Sequence, residues 1–475
     1  MPKKLLLSCV LLALALAVIP AQAQLGAACR DSQYAGSRLV GGMYARVTPG
    51  SANNVRESAS TSAALVAQIE PGQVVYITSA PVCAEGYVWW QVMFREPTST
   101  DDFPFGYTVE GAPPLSDGDY WLEPVTQTLA VPQERTLITA ENAAPLAPVA
   151  QAEFGMVNRL VWSPDGTHLA VNTVGATWVY DLTKPDTGPT RLTPYSYETN
   201  YTGAIAIGAD NDAVLTAGGV QNAPNRPQIG AAYLWALASP DFAQFSFTEP
   251  ESDFGYGGAA AVSPTFTQVA FAGGDGTIRV YDAFSGEETL ALSGHTLVGA
   301  LAYSPDGQFL VSVGTTGMMV SDTTARLWNA ATGEQIVTLD LGEVLPFISF
   351  SGDSRLVALA VYSYADGTQR VHVLEATTFT TLYTLDMARG GIGGLSLNAD
   401  GSLLAISNVY FDDALTVWDS ALRLYEVASG AEVAALPVLA NSGAVAFSPD
   451  GTLIAFAYED PMFWGPNRVT LWALP

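Results

Sequence analysis

Histidine and cysteine are scarce in this chain, with three of each in 475 residues. Basic residues are scarce too: 19 Lys and Arg stand against 46 Asp and Glu, and charged residues make up only 14%. Each shortage excludes something. A formal net charge of −27 leaves no clustered Lys and Arg for phosphate contacts, so nucleic acid is excluded as a partner. The same deficit argues against docking on an anionic membrane surface. Too few His and Cys remain for a zinc site of the usual kind, and no cofactor is predicted. Few Glu, Lys and Arg beside 44 Gly and 29 Pro exclude a long helical or coiled-coil protein. No Gly-x-Ser-x-Gly elbow, phosphate loop or dinucleotide fingerprint is present. What the chain does have is 49% hydrophobic residues, enough apolar surface to offset chain entropy and exclude disorder. The balance points to an acidic, β-rich protein.

The one long apolar run is at the start. Lys3 and Lys4 precede Leu5 to Ile19, Pro20 breaks the run, and Ala21-Gln22-Ala23 supplies the small residues of a cleavage site. Residues 1–23 read as a secretory signal peptide. The run is too short for a span of about 20 apolar residues, and no membrane span is predicted after cleavage. Removal of two lysines leaves 17 basic residues against 46 acidic ones, a balance of −29. Cys9 leaves with the signal, so Cys29 and Cys83 remain. In an oxidising compartment they are expected to pair, closing a loop of about 54 residues worth on the order of 4 kcal/mol. Lipidation at Cys29 would call for a Leu three residues before it, whereas Leu25 stands four before.

Residues 43–125 read as short strands. Leu65 to Ile69, Gln73 to Thr78 and Tyr87 to Phe94 are rich in Val, Ile, Tyr and Trp, and Pro71-Gly72 punctuates the first pair. Asn54-Val55-Arg56 with Ser58, Ser60 and Ser62 is followed by Glu70-Pro71-Gly72-Gln73-Val74-Val75, Trp89-Trp90-Gln91-Val92 and Gly106-Tyr107-Thr108-Val109. With these residues, 24–125 resembles the bacterial SH3-like domain. An insert from Glu96 to Pro104 and Tyr107 in place of the commoner Trp depart from the pattern. The resemblance implies a small barrel near the N-terminus of an exported bacterial protein, some members of which bind cell-wall peptide. Trp89 and Trp90 are candidate groove residues. Strand alternation sends one into the barrel and the other outward.

Residues 126–150 hold Pro132, Pro145 and Pro148 and read as a linker. Beyond it the chain repeats. Ser163-Pro164-Asp165-Gly166 recurs at 304 and 448, with Asn398-Ala399-Asp400-Gly401 as a close variant. Copies at 208, 263 and 351 are degraded, and the seven starts lie 41 to 55 residues apart. Each Pro-Asp-Gly is a hairpin turn, with Pro presetting φ and Gly accepting positive φ. A third strand ends in an aromatic, as in Val280-Tyr281-Asp282 or Leu327-Trp328-Asn329. A Ser/Thr-Gly turn such as Thr332-Gly333 then leads to a fourth. Four strands repeated radially make a β-propeller. The predicted fold is therefore all-β: a seven-bladed propeller over 151–475, preceded by the small barrel.

These units resemble WD40 repeats. In that family an acid six residues before the third-strand aromatic ties the turn to the inner strands, and Asp275, Asp322 and Asp419 match. Ser293-Gly294-His295 is the one Gly-His. The resemblance implies that His295 braces its blade with Ser312, Asp322 and Trp328. The chain ends just after the third strand of the seventh unit, so Ile138 to Ala150 is expected to supply the missing outer strand against Val469 to Leu474.

His168 reads as a hairpin residue and His372 as a strand residue. The acidic pairs Asp101-Asp102, Asp412-Asp413 and Glu459-Asp460 have the oxygen ligands Ca²⁺ uses, though without an EF-hand pattern. Long second-to-third-strand loops are expected at Asn222 to Gly230, Tyr362 to Thr368, Asn408 to Trp418 and Glu459 to Asn467. Their aromatics Tyr362, Tyr364, Tyr410, Phe411, Phe463 and Trp464 are candidate ligand-binding residues on one rim. The expected function is an exported, non-enzymatic interaction scaffold for a protein or cell-envelope ligand. The rival is an exported propeller hydrolase or lyase using loop carboxylates.

Overall fold

A computed structural model describes residue 39 and residues 43–475, apart from segments 79–80, 95–103, 112–119, 126–127, 155–156, 174–175, 193–200, 221–228, 239, 241–242, 249–258, 316–321, 343–346, 364–367, 388–389, 412–416, 439–442 and 459–466. The signal segment, Cys29, the acidic pairs, Tyr364, Phe463 and Trp464 all lie outside the described residues. So does most of the Glu96 to Pro104 insert.

The N-terminal β domain holds β1 (Tyr44–Val47), β2 (Asn53–Arg56), β3 (Leu65–Ile69), β4 (Val74–Ile77), β5 (Val82–Ala84), β6 (Tyr87–Met93), β7 (Phe105–Val109) and β8 (Leu122–Pro124). They form one sheet in the order β3-β2-β7-β6-β4-β1-β8, with β5 paired to β6. Alternation places Val55, Val75, Ile77, Trp90 and Val92 in a common core. The Pro71-Gly72 turn closes by a bond from Gln73 N to the Glu70 carbonyl, with Gly72 at φ +85°.

Seven antiparallel four-stranded sheets follow, occupying residues 157–192, 201–248, 260–292, 298–340, 348–387, 390–437 and 445–473. The last contains only three strands from its own stretch, and its outer strand is β9 (Ala147–Phe154). The ladder runs from Asn467 opposite Phe154 to Ala473 opposite Ala147, with a bulge between Leu471 and Trp472. Pro148 stands at that bulge on the outermost strand, where the missing N–H costs no ladder bond. The closing strand thus starts later than Ile138 and runs on to Phe154.

Residues before β9 do something else. Leu129 and Val131 enter the core shared by the first and seventh sheets. Ile138, Ala143 and Leu146 enter the core between the sixth and seventh. Ile138 N donates to the Gly451 carbonyl at 3.0 Å, and Arg135 reaches Asp450 at 3.2 Å and Thr452 at 3.0 Å. The segment is a clasp across the closure joint. Its apolar residues are too irregularly spaced, and too interrupted by proline, to pair as a strand.

The Ser-Pro-Asp-Gly turns explain their own sequence. Ser163 Oγ donates to Asp165 at 2.7 Å and accepts from His168 N at 2.8 Å, while Asp165 also accepts from Thr167 N. Ser304 with Asp306 and Ser448 with Asp450 repeat the pattern. The fourth position takes positive φ in all seven turns: Gly166, Gly307, Gly401 and Gly451, but also Asn211 (+56°), Phe266 (+62°) and Ser354 (+62°). The degraded copies keep the geometry without the glycine that relieves it.

The two domains touch. Trp178, on the third strand of the first blade, packs against the N-terminal core and against the first and seventh blades' core.

Candidate functional site

A concave site lies on the N-terminal domain. It is a groove of about 530 Å³ lined by the β1–β2 loop, β2, Thr61, Tyr87, Trp89, the end of β7, Tyr120 and Trp121. Trp89, Tyr87 and Trp121 form a chain of rings, with centroids 6.3 Å apart at each step. Trp121 is the exposed end, 37% accessible, and Trp89 the buried end at 1%. The lining contains Arg56 and no Asp or Glu, an unusual composition in a chain with 46 acids.

The structure separates Trp89 from Trp90. They project to opposite faces, as alternation requires, yet neither is exposed. Trp90 is fully buried, and its Nε1 donates to Glu110 Oε2 at 2.9 Å; it does not line the groove. Trp89 does, with Nε1 bonded to the Ala84 carbonyl at 3.0 Å. The outward ring is covered because β5 pairs with β6 beside it, Val82 opposite Trp89.

Two acids build the walls. Glu110 is buried, and its carbonyl accepts from Trp121 N at 2.7 Å and Leu122 N at 3.0 Å, which sets Trp121 at the rim. Glu85 sits at φ +54° in the β5–β6 turn. It accepts from Ser60 Oγ at 2.6 Å and from Thr61 N and Oγ1 at 2.7 and 2.6 Å. The Ser60 bond first, then those of Thr61, hold its carboxyl down at about 2. This latch fixes the loop carrying Thr61. Arg56 donates from Nη1 to the Ala63 carbonyl at 2.7 Å, which anchors the guanidinium on the same loop. Tyr87, Trp121, Glu85 and Glu110 were not legible as site residues, since the strands and turns that gather them are distant in sequence. The single signal was the aromatic density of 87–90 and 120–121.

On the propeller, the residues predicted to brace the fourth blade come together. Trp328 Nε1 donates to Ser312 Oγ at 2.8 Å. Ser312 Oγ lies 2.7 Å from His295 Nε2, and His295 Nδ1 lies 3.0 Å from Asp322 Oδ2. Asp322 also accepts from Thr296 N at 2.7 Å and from Thr324 N and Oγ1 at 3.0 and 2.6 Å. Burial pushes the Asp322 carboxyl up, but the Thr324 and Thr296 bonds outweigh it and hold the group at about 2. Burial lowers the His295 pKa more than the Asp322 charge raises it. At neutral pH the imidazole is therefore neutral. The His295–Asp322 contact is a hydrogen bond, not an ion pair, and the donors run one way: indole to serine to imidazole to carboxylate. Ser312 is fully buried and its oxygen also accepts from the Trp328 indole, so the arrangement acts as a strut inside the blade.

The other predicted residues scatter. Asp275 accepts from Thr277 N at 2.9 Å and pairs with Arg279 at 2.7 Å, all within its own hairpin. His168 bonds Thr167 and His372 bonds Thr384, each within its own blade. Tyr362 is half-buried in the strand Leu356–Ser363, opposite Gln369. Tyr410, Phe411 and Asp419 lie on paired strands, Tyr410 opposite Asp419 and Phe411 opposite Val417. The expected loops are thus partly ribbon: Asn408 to Phe411 and Val417-Trp418 belong to the ladder, as do Ile229 opposite Val220 and Thr368 opposite Ser363. Alternating β-branched and aromatic residues extend the hairpin where loop had been expected. Cys83 is half-buried on β5. Among the described residues no group of three or more His, Cys, Asp or Glu is placed to hold a metal ion. Among them, too, no helix is long and apolar enough to cross a membrane.

Comparison with known proteins agrees with this geometry. The WD domain, G-beta repeat (WD40) matches residues 286–329. That stretch contains the outer strand of the third blade (Glu288–Leu292) and three strands of the fourth. The sequence repeat is therefore offset by one strand from the structural blade, and β9 supplies the strand this offset leaves missing at the end. SEC12-like protein 2 of Arabidopsis thaliana is 27% identical over 214 residues, 44% of this chain and 50% of that protein. The aligned region thus spans about half the length of that relative. The β-propeller domain of Cps50 (Swd1) from Myceliophteria thermophila superposes with a TM-score of 0.54 at 15% identity, over 70% of this chain and all of that one. At that identity the likeness is one of fold. The chain carries a seven-bladed β-propeller with a WD40 repeat at its fourth blade.

Proposed function

We propose that this protein is an exported, non-enzymatic interaction scaffold. In this reading the N-terminal domain is a bacterial SH3-like module that binds a cell-envelope ligand, and the propeller presents its hairpin rim to protein partners. The observation that carries it is the place and make-up of the groove. It is aromatic and polar, with Arg56 as its one charge, and it lies on the small domain. The described turn acids of the propeller are used by their own turns: Asp165, Asp353 and Asp450 each accept from the serine two residues before. An exported hydrolase or lyase would need two carboxylates converging to within about 5 to 10 Å at one mouth.

Export is supported by the basic start, apolar run and small-residue site of residues 1–23. A Cys29–Cys83 bond suits an oxidising compartment.

The test is retention of the full secreted chain on purified cell wall, beside Trp121→Ala. Binding that weakens in the variant supports the reading. Equal retention of both, or breakdown of the polymer by the chain, would overturn it.

A further inference from the structure

The lining of the groove specifies more than an envelope ligand. Its apolar part is a set of flat faces, Tyr87 and Trp121, open at the exposed tryptophan. Around them stand uncharged hydrogen-bonding groups: Thr48, Ser51, Asn54 and Thr61. The one charge in the lining is Arg56. It commits Nη1 to the Ala63 carbonyl, and a guanidinium has five donors. The nearest acid of the latch, Glu85, is already held by Ser60 and Thr61.

We propose that the groove binds a carboxylate-bearing saccharide, a uronic acid unit of a polysaccharide. Its ring face stacks on Trp121 and Tyr87, its hydroxyls meet the Asn and Thr groups, and its carboxylate meets Arg56. Flat aromatic faces ringed by amides and hydroxyls suit a sugar, which offers an apolar C–H face and a polar edge. A purely cationic ligand would meet the like charge of Arg56. The absence of acid from the lining also removes repulsion that the rest of this acidic surface would impose. This inference rests on reading the N-terminal domain as the envelope-binding part.

The experiment is calorimetric titration of the full chain with galacturonate trimer, its methyl ester and tetra-alanine. The trimer is expected to bind roughly tenfold tighter than its neutral ester, the worth of one charge-assisted pair. Arg56→Gln should abolish that ratio, and Trp121→Ala should weaken both sugars by about fivefold or more. Asn54→Ala, on the exposed side of β2, serves as a second variant if Trp121→Ala lowers the melting temperature. Equal affinity for trimer and ester, or preference for tetra-alanine, overturns the proposal. If no sugar binds while the chain still adheres to purified wall, the saccharide assignment falls and the envelope reading stands. If adhesion is lost as well, both fall.

Discussion

Closure of the propeller depends on the clasp, and two substitutions measure how much. Leu129 is fully buried in the core between the first and seventh blades, and Ile138 is 2% exposed in the core between the sixth and seventh. Truncating a buried Leu or Ile to Ala costs about 2 to 5 kcal/mol, part transfer and part cavity. The residues belong to separate clusters, so their costs should add to within about 0.5 kcal/mol. Leu129→Ala with Ile138→Ala should therefore cost about 4 to 10 kcal/mol, against a net stability of about 5 to 15 for a typical domain. Among the described residues, the joint they hold is the only strand pairing in the disc between segments distant in sequence, β9 against Asn467–Ala473. Opening there exposes both strand edges at once. Thermal unfolding followed by circular dichroism, with limited proteolysis after residue 154, reads both effects. The singles should each melt several degrees low, and the double should be cut near β9 at temperatures where the parent resists. A double variant that loses less than about 1 kcal/mol, or is cut first elsewhere, refutes the idea that the clasp locks the ring.

Other outcomes follow from the same structure. His295→Ala removes an acceptor from Ser312 and a donor from Asp322 in a buried site, a loss of about 2 to 4 kcal/mol by chemical denaturation. Burial lowers the folded pKa of His295 below its ordinary 6.5, so the brace is whole above pH 6.5 and weakens as pH falls. The gap between parent and variant should shrink from pH 7 to pH 5, and a gap that widens would contradict the neutral imidazole. Asn211 carries a left-handed φ of +56° yet bonds Asp165 of the neighbouring blade at 2.6 Å. Asn211→Ala, losing the bond and keeping the strain, should cost about 1 to 3 kcal/mol, and Asn211→Gly distinctly less. A Cys83→Ser chain should lose up to about 4 kcal/mol on the proposed pairing with Cys29, and an unchanged melting temperature under reducing and oxidising conditions would remove that bond from the account.

The propeller was legible because its signals are local. Ser163, Asp165 and Gly166 satisfy one another within a single turn, so their recurrence marks each hairpin. His295, Ser312, Asp322 and Trp328 were legible through resemblance to a repeat whose spacing fixes which strand each occupies. The groove was not legible. Tyr87 meets Trp121 because Glu110, just after β7, takes the Trp121 and Leu122 amides on its carbonyl, a pairing set by sheet topology. Thr61 is placed by Glu85, 24 residues away in sequence. The clasp was misread for another reason. Residues 138–146 are apolar enough for a strand, but burial at Ile138, Ala143 and Leu146 follows neither a period of two nor of 3.6, and only the facing blades decide where such a segment lies.

The degraded turns sharpen the role of the acids. Where glycine is missing from the fourth turn position, its replacement reaches the preceding blade. Asn211 bonds Asp165, Ser354 accepts from Asp306 N at 3.0 Å, and Phe266 packs into the core shared by the second and third blades. Where glycine remains it lies close to a neighbour: Gly166 to Pro449, Gly307 to Pro264, Gly401 to Leu356 and Ser351, and Gly451 to Leu137 of the clasp. Most turns thus touch the next turn around one face, and the clasp fills the joint between the sixth and seventh. The acids within them are held ionised by their own Ser and backbone donors; Asp353, Asp400 and Asp450 all have lowered pKa values, burial opposing and hydrogen bonds prevailing. A neutral residue at these positions would leave those donors unmade. A share of the charge imbalance is therefore structural: carboxylates are the acceptors from which the turns are built, and Ser and backbone donors hold them ionised, joined by Arg355 at Asp353 and Arg135 at Asp450.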